Sequence, residues 1–219
     1  VAAASAQGVR VDLIGLGADV GLIVGKAATG NGLYVRRHGV AQSLEAAPSL
    51  AVERDPKWWV DRRLLQIDPA RIRSIEVAPA GGRAYSLTRA DAKQPDFVLR
   101  GAPAGRKQAN PSPAAAQSQA LAPLECDDVR PVAQVEFGAK PAGRVVYTTF
   151  DGLQITLDGA RIGEQGWLKV QAMPVAGATD DELLREADAL QRRVSGWAYE
   201  VPTYRLDSLL RSIDGLLAP

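Results

Sequence analysis

Three kinds of residue in this sequence are suited to chemistry: glycines in a run, one histidine and several acidic clusters. The glycines of residues 15–21 follow a predicted strand, where glycine can let a pyrophosphate approach the start of a helix. A dinucleotide site would need that helix, but residues 22–25 form a β-rich run instead. Ala27 also stands where a phosphate-binding loop has the hydroxyl residue that holds magnesium. Nucleotide binding is therefore not predicted.

The histidine and cysteine content argues against an acyl-transfer or metal site. His38 is the only histidine and lies in a basic turn, and no Gly-x-Ser-x-Gly sequence accompanies it. A catalytic triad would need a serine and a carboxylate beside this base. Cys126, the only cysteine, is interpreted as a small buried hydrophobic residue. The acidic clusters at 127–128 and 180–182 lack the alternating spacing of a calcium loop, so we predict no catalytic residue, cofactor or metal site.

Carboxylates leave one enzymatic route open, because two acidic residues from distant parts of a chain can carry out glycoside hydrolysis. A hydrolase with paired carboxylates is therefore kept as the alternative. Asp151 and Gly152 are interpreted as a hairpin turn rather than as half of such a pair. A carrier with one closed apolar pocket for a small ligand also stays open.

Aromatic residues are the candidates for an interaction surface. Their side chains bury large areas, which suits a groove for a ligand or partner, but they also pack between sheets and helices. Packing is the more frequent use. The candidate surface residues are Trp58, Trp59, Trp197, Tyr199 and Tyr204.

Composition excludes several classes of protein. Of the 219 residues, 46% are hydrophobic and 23% are charged, as in a folded globular chain. The net charge of +1 gives no field that would attract nucleic acid, so no such partner is predicted. No run of 18 apolar residues is present, so this chain itself is not expected to span a membrane. The small residues at positions 1–7 resemble the cleavage region of a signal peptide, although no charged or apolar segment precedes them. The interpretation we prefer is a chain cut at a linker from a longer one.

Periodicity predicts strands followed by a helix in the first third of the chain. Residues 9–14 and 20–24 form a predicted hairpin, which residues 33–35 and 41–44 continue. Asp55 and Pro56 start a helix well, because aspartate accepts a free backbone N–H and proline needs no donor there. A helix is therefore predicted over about residues 56–66.

The rest of the chain alternates between strands and helices. Strands are predicted over residues 72–77, 84–88, 97–99, 145–150, 153–157 and 167–170, and a helix over 112–121. Thr179 and Glu182 form a capping box, since each side chain can bond the backbone N–H of the other, and a helix continues to Val194. A last helix carries leucines between Leu206 and Leu217. The fold class is α+β, with antiparallel sheets and flanking helices.

The sequence also contains an internal similarity. Aligning Gly8 with Gly143 superposes two predicted hairpins, and aligning Pro56 with Pro202 superposes two predicted helices. We therefore predict repeated strand-hairpin, strand and helix units. Residues 1–69 would be the latter part of a first unit, and residues 70–219 a complete second unit.

Four longer motifs, with the acidic run before Val129, form a combination that is more specific than any of them alone. They are residues 58–65, 72–77, 149–153 and 196–202. Together they resemble the bacterial family called domain of unknown function 4340, over about Gly8 to Leu217. The resemblance implies an N-terminal membrane anchor, absent from this chain, with the bulk of the protein outside the cytoplasm. Some members are encoded beside gliding-type ABC transporter components. The family offers no catalytic residues to transfer.

These observations lead to one expected function. We expect a non-enzymatic periplasmic binding or assembly module of an envelope protein that is anchored to the inner membrane and associated with an ABC transporter system. Its partner would be an envelope protein or glycan, contacted through a sheet face or through the aromatic residues near Trp58 and Trp197. The hydrolase alternative would act on an envelope polymer.

Overall fold

The computed structural model divides the chain into two compact units, Val1–Val60 and Asp61–Pro219. It describes residues 8–15, 19–53, 55, 58–59, 61–109, 114–138 and 141–218. The division differs from the boundary expected after residue 69. Leu64, Leu65 and Ile67 belong to the core of the second unit, so residues 61–69 are part of that unit.

The first unit contains one four-stranded antiparallel sheet. Its strands are β1 (Val9–Leu13), β2 (Val20–Ala27), β3 (Leu33–Arg37) and β4 (Ser43–Ala46). They lie in chain order, β1-β2-β3-β4, so the sheet is a simple meander. The predicted hairpin and both following strands are confirmed. His38 lies in an exposed turn directly after β3, as expected.

The second unit is built on an eight-stranded antiparallel sheet and a separate pair of short strands. The strands are β5 (Arg63–Leu65), β6 (Ile72–Pro79), β7 (Tyr85–Thr88), β8 (Val98–Arg100), β9 (Leu124–Glu125), β10 (Asp128–Pro131), β11 (Pro141–Thr149), β12 (Leu153–Ile162), β13 (Gln165–Pro174) and β14 (Trp197–Val201); the helices are α1 (Ala114–Ser118), α2 (Asp181–Val194) and α3 (Thr203–Leu209). The order in the large sheet is β10-β14-β13-β12-β11-β6-β7-β8, and β5 pairs with β9. Antiparallel sheets with helices, and hence the α+β class, are confirmed.

The core lies on one face of the eight-stranded sheet. Alternating residues of the central strands are fully buried there, including Ile75, Tyr147 and Ile155. Helices α2 and α3 pack against β13. Gly159 allows α3 to approach the sheet closely, because a Cβ atom at this position would lie 2.9 Å from a methyl group of Leu206.

A small second cluster lies on the opposite face of the same sheet. Leu168 packs into the main core, so its neighbour Trp167 points the other way, where it packs with Val135 and Ala198. The guanidinium of Arg130 lies 4.8 Å from the centre of a Trp167 ring. The segment after β10 thus covers one end of the outer face.

The helix predicted over residues 56–66 is wrong in the part that the structure describes. Arg63–Leu65 forms strand β5, which pairs with β9, and the Ile67 N–H donates to the carbonyl of Leu121. Leu64 and Leu65 are both buried, and this packing outweighs the helix-start signal of Asp55 and Pro56. Residues 56, 57 and 60 of the predicted helix lie outside the described residues.

The start of α2 also differs in one detail from the prediction. Asp180, not Thr179, is the N-cap, and its carboxylate accepts the backbone N–H groups of Glu182 and Leu183. The last predicted helix is divided into α3 and a 3₁₀ turn at Ile213–Leu216. Helix α2 buries Leu183 and Ala187, and α3 buries Leu206 and Leu209, so each helix has one apolar face, as predicted.

The repeat is matched in strand order but not in full. Strands β11 to β14 form a second meander, in which α2 lies between β13 and β14. The registers of the two hairpins differ by one residue: Val11 pairs with Leu22, whereas Leu157, the equivalent of Leu22, pairs with Val145. The helix of the first copy fails as described above, so the repeat stays a prediction.

Candidate interaction surface

The four-stranded sheet has one strongly apolar face. Cross-strand pairing places Arg37 and eleven aliphatic side chains on this apolar face; the aliphatic ones are Val9, Val11, Leu13, Val20, Leu22, Val24, Ala27, Leu33, Val35, Leu44 and Ala46. Within the described part of the first unit only Leu33 among them is buried; Leu13 and Leu44 are exposed by 42% and 56%. A sheet face of this composition normally packs against another layer.

Among the described residues, neither edge strand of the four-stranded sheet has a second partner. Strand β1 pairs with β2, and β4 pairs with β3. In the described residues, no hydrogen bond reaches the outer side of either strand. Unpaired N–H and C=O groups in a row are a template for pairing with another chain.

The eight-stranded sheet, by contrast, has closed edges. At β8 the side chain of Gln108 acts as a substitute strand: its Oε1 accepts the Leu99 N–H at 2.9 Å, and its Nε2 donates to the Phe97 carbonyl at 2.7 Å. At β10 the Val129 N–H donates to the carboxylate of Asp128, and Pro131 has no N–H to offer. Strand addition is therefore blocked at both ends of this sheet.

Trp58 and Trp59 are the most exposed tryptophans of the described chain, at 67% and 64%. The indole N–H of Trp59 donates to the Glu53 carbonyl at 2.9 Å, which orients its ring. Trp59 also lines a hollow of about 460 Å³, together with Val9, Arg10, Val11, Val52 and Glu53. Aromatic rings held at the surface in this way are typical of contact sites.

The other three candidate residues belong to the second unit and do not behave alike. Trp197 is 43% exposed on β14, and Tyr204 is 66% exposed on α3. Tyr199 is buried at 7% and packs in the main core, and burial raises the pKa of its phenol. Tyr199 therefore cannot contribute to an exposed surface, and it is removed from the candidate set.

In the second unit, several charged side chains form ion pairs or hydrogen bonds that stabilise the fold. Arg71 contacts both Glu186 on α2 and Asp151 in the β11–β12 turn, at 2.7 and 2.6 Å. Burial alone would raise the pKa of the Asp151 carboxyl, but hydrogen bonds from Thr149 and Arg71 lower it. The buried guanidinium of Arg89 is held by four backbone carbonyl groups, and desolvation lowers its pKa. These contacts fix loops to the sheet.

The Cys126 thiol and the Glu200 carboxyl are two further groups that could take part in a reaction. Cys126 is buried, as predicted, and burial raises the pKa of its thiol. Burial first, and then the charges of Asp128 and Asp127, raise the pKa of the Glu200 carboxyl. The described residues contain no group of three histidine, cysteine or acidic side chains placed to hold a metal ion.

Sequence reasoning missed the backbone groups at the sheet edges. The alternation of Val9, Val11 and Leu13 with Arg10 and Asp12 predicts a half-buried strand. It does not show that this strand is an edge, since that depends on which strands pair. Gln108 was missed for the same reason.

The fold and surface thus define a class: an antiparallel α+β protein with one sheet whose edges its own chain closes and another whose edge strands have no second partner in the described residues. The family model described as Domain of unknown function (DUF4340) matches residues 4–143, and the chain belongs to this family. This confirms the resemblance found in the sequence. No curated protein matches the chain significantly, and neither does any solved structure. Among the described residues, no helix is both long and apolar enough to cross a membrane.

Proposed function

We propose that this chain is a non-enzymatic binding or assembly module that works in the periplasm as part of a membrane-anchored envelope protein. Its partner is an envelope protein or glycan. The observation that carries the proposal is the half-exposed apolar face of the four-stranded sheet, next to two exposed tryptophans in the same unit. The anchor and the association with an ABC transporter follow from the family resemblance and belong to the same proposal.

The apolar face and tryptophans support binding rather than catalysis. Large exposed apolar patches on soluble proteins mark contact sites, because leaving them in water is unfavourable. Tryptophan is also enriched among the residues that contribute most binding energy. The second unit, whose core is covered and whose edges are closed, would serve as the scaffold.

The proposal also includes duplication of the architecture. The meanders β1–β4 and β11–β14 share their strand order, and the helix α2 accounts for the extra length of the second. In this proposal the first unit is the latter part of a duplicated unit and has kept an exposed surface.

A pull-down from envelope extract with the full-length protein tests the binding function. The double variant Trp58→Ser, Trp59→Ser should lose the partner captured by wild type, with affinity lower by about tenfold or more. Thermal unfolding should be unchanged, because both side chains are exposed. Met173→Ser, which changes a similarly exposed side chain of the second unit outside the candidate set, is the matched control. Equal capture by wild type and double variant, or unfolding of the double variant, would refute the assignment.

The alternative of an envelope-polymer hydrolase rests on one pair of carboxylates. Asp128 and Glu200 are directly paired across β10 and β14, and the pKa of Glu200 is raised. Directly paired residues have Cβ atoms about 5 Å apart, so the two carboxylates lie on the same face of the sheet within reach of one another. Neither residue lines the hollow at Trp59. Release of soluble fragments from purified envelope polymers by wild type, and none by Glu200→Gln, would establish this alternative.

A further inference from the structure

The open edge of β1 has a sequence that is complementary to itself. The strand reads Val-Arg-Val-Asp-Leu, with Val9, Val11 and Leu13 on the apolar face and Arg10 and Asp12 on the other. Arg10 and Asp12 are exposed and contact each other at 3.0 Å along the strand. Opposite charges therefore flank Val11 on the polar face of this strand.

The backbone groups of Arg10 and Asp12 are the ones that point away from the sheet. The Gly21 carbonyl accepts the N–H of His38 at 2.9 Å, so Gly21 faces β3. Backbone groups of consecutive strand residues point to alternate sides, so Leu22 faces β1. Leu22 is paired with Val11, and hence Val11 bonds to β2. Its neighbours Arg10 and Asp12 therefore direct their N–H and C=O groups outward, where no described residue bonds them.

We propose that a second copy of this chain pairs with β1 in the antiparallel direction, about a two-fold axis at Val11. Arg10 of each copy then lies opposite Asp12 of the other, and the two pairs exchange four backbone hydrogen bonds. Val11 faces its own symmetry mate, and Val9 faces Leu13. The interface is isologous, as in most homodimers, and it forms by strand addition.

Charge selects this register over its neighbours. Moving the axis to residue 10 places Arg10 opposite Arg10, and moving it to residue 12 places Asp12 opposite Asp12. Like charges directly opposite each other destabilise a strand pair, whereas opposite charges stabilise it. The only register with two attractive pairs is therefore the one centred on Val11.

Pairing of two copies also continues the apolar face. Two four-stranded sheets become one eight-stranded sheet, with the aliphatic side chains of both copies on the same side. A hollow of about 460 Å³ lies beside this strand, lined by Val9, Arg10 and Val11 together with Val52, Glu53 and Trp59. A five-residue strand is a small interface, so the dissociation constant should lie roughly between micromolar and millimolar. This pairing does not require the envelope partner.

Charge reversal tests the inference by sedimentation equilibrium of the 219-residue chain across a concentration series. Arg10→Asp places acids opposite acids, and Asp12→Arg places bases opposite bases. Each should raise the dissociation constant by about tenfold or more. An equimolar mixture of the two variants restores both attractive pairs, and so does the double variant Arg10→Asp, Asp12→Arg; both should dimerise like wild type. Arg36→Asp on β3 makes the same charge change away from the edge and should have no effect.

A cysteine placed at the proposed axis tests the register separately. Val11 faces its mate in a non-hydrogen-bonded pair, where Cα atoms lie about 4.5 Å apart, a separation that a disulfide can span. Val11→Cys should therefore form a covalent dimer in oxidised glutathione. Val9→Cys should not, because two copies of residue 9 lie about 14 Å apart along the strands. A wild type that stays monomeric at millimolar concentration would overturn the inference. Single reversals that leave dimerisation unchanged, or equal cross-linking of both cysteine variants, would also overturn it.

Discussion

The two sheets of this protein have the same antiparallel construction but differ in how they end. The eight-stranded sheet buries its apolar face under α2 and α3, and its edges are closed by Gln108 at one side and by Asp128 and Pro131 at the other. The four-stranded sheet leaves most of its apolar face half-exposed and both edges without partners in the described residues. The eight-stranded sheet is thus covered and closed at its edges, whereas the described residues neither cover nor close the four-stranded sheet.

This difference indicates that the two sheets have different roles, one structural and one in association. Natural proteins close sheet edges because an open edge invites association. This chain closes an edge of one sheet with the side chain of Gln108 but does not close the other sheet in the described residues. We therefore expect contacts with partners at the four-stranded sheet. Exposed apolar area and open edges coincide in the first unit, together with Trp58 and Trp59.

The largest expected effect comes from making the same leucine-to-alanine substitution in each of the two sheets. Leu157→Ala in β12 removes a side chain that is 1% exposed, and should lower the free energy of unfolding by about 2–5 kcal/mol. Leu22→Ala, at the equivalent position of the predicted repeat, removes a half-buried side chain and should cost about 1 kcal/mol or less. Urea denaturation followed by circular dichroism measures both.

The comparison of the sheets would fail if the two leucine variants lost equal stability. Such a result would mean that Leu22 is covered as completely as Leu157. Leu157→Ile, which conserves volume, serves as a control and should cost less than Leu157→Ala.

The main features of the fold could be predicted from the sequence because they depend on local signals. The hairpin at Asp151 and Gly152 has a turn residue that suits its positive φ of 98°. The helix α2 has an acidic first turn and basic residues in its last turn. Strand β5 could not be predicted, because Leu64 and Leu65 are placed by pairing with β9, which is distant in sequence.

The candidate surface was predictable only in part. Exposure of Trp58 agrees with an interaction role, but sequence cannot separate it from Tyr199, which has the same aromatic character and lies in the core. Edge positions depend on the order of strands, and that order is set by long-range packing. Arg10 and Gln108 thus acquire their roles only once the sheets are assembled.

Removing the Gln108 side chain should expose the edge of the eight-stranded sheet at β8. Gln108→Ala removes the hydrogen bonds to Leu99 and Phe97 and should lower stability by about 1–2 kcal/mol. The Leu99 amide should exchange with solvent faster, because its acceptor is gone. Hydrogen exchange followed by NMR or mass spectrometry checks this.

Gln108→Glu is the matched variant for that experiment. The carboxylate can still accept the Leu99 N–H, but it has no donor for the Phe97 carbonyl. Exchange at Leu99 should therefore stay slow while stability falls by less than in the alanine variant. An unchanged exchange rate in Gln108→Ala would mean that the glutamine does not close the edge.

The smallest effect concerns the carboxylates that meet where β10 pairs with β14. Glu200 lies opposite Asp128, and burial together with the acidic neighbours raises its folded-state pKa. A raised pKa means that the protonated form is favoured in the folded protein. The contribution to stability is therefore present below the unfolded-state pKa of about 4.3 and is lost as pH rises through the folded-state pKa.

Glu200→Gln should consequently stabilise the protein at neutral pH, by less than about 1 kcal/mol because the site is partly solvated. The amide oxygen can still accept the hydrogen bond from Gln165. The gain should shrink as pH falls and vanish near pH 4. Thermal unfolding at a series of pH values measures this, with the exposed Glu45→Gln of β4 as control. A variant that is less stable than wild type at neutral pH would show that the charge of Glu200 is satisfied, and that closing this edge has no electrostatic cost.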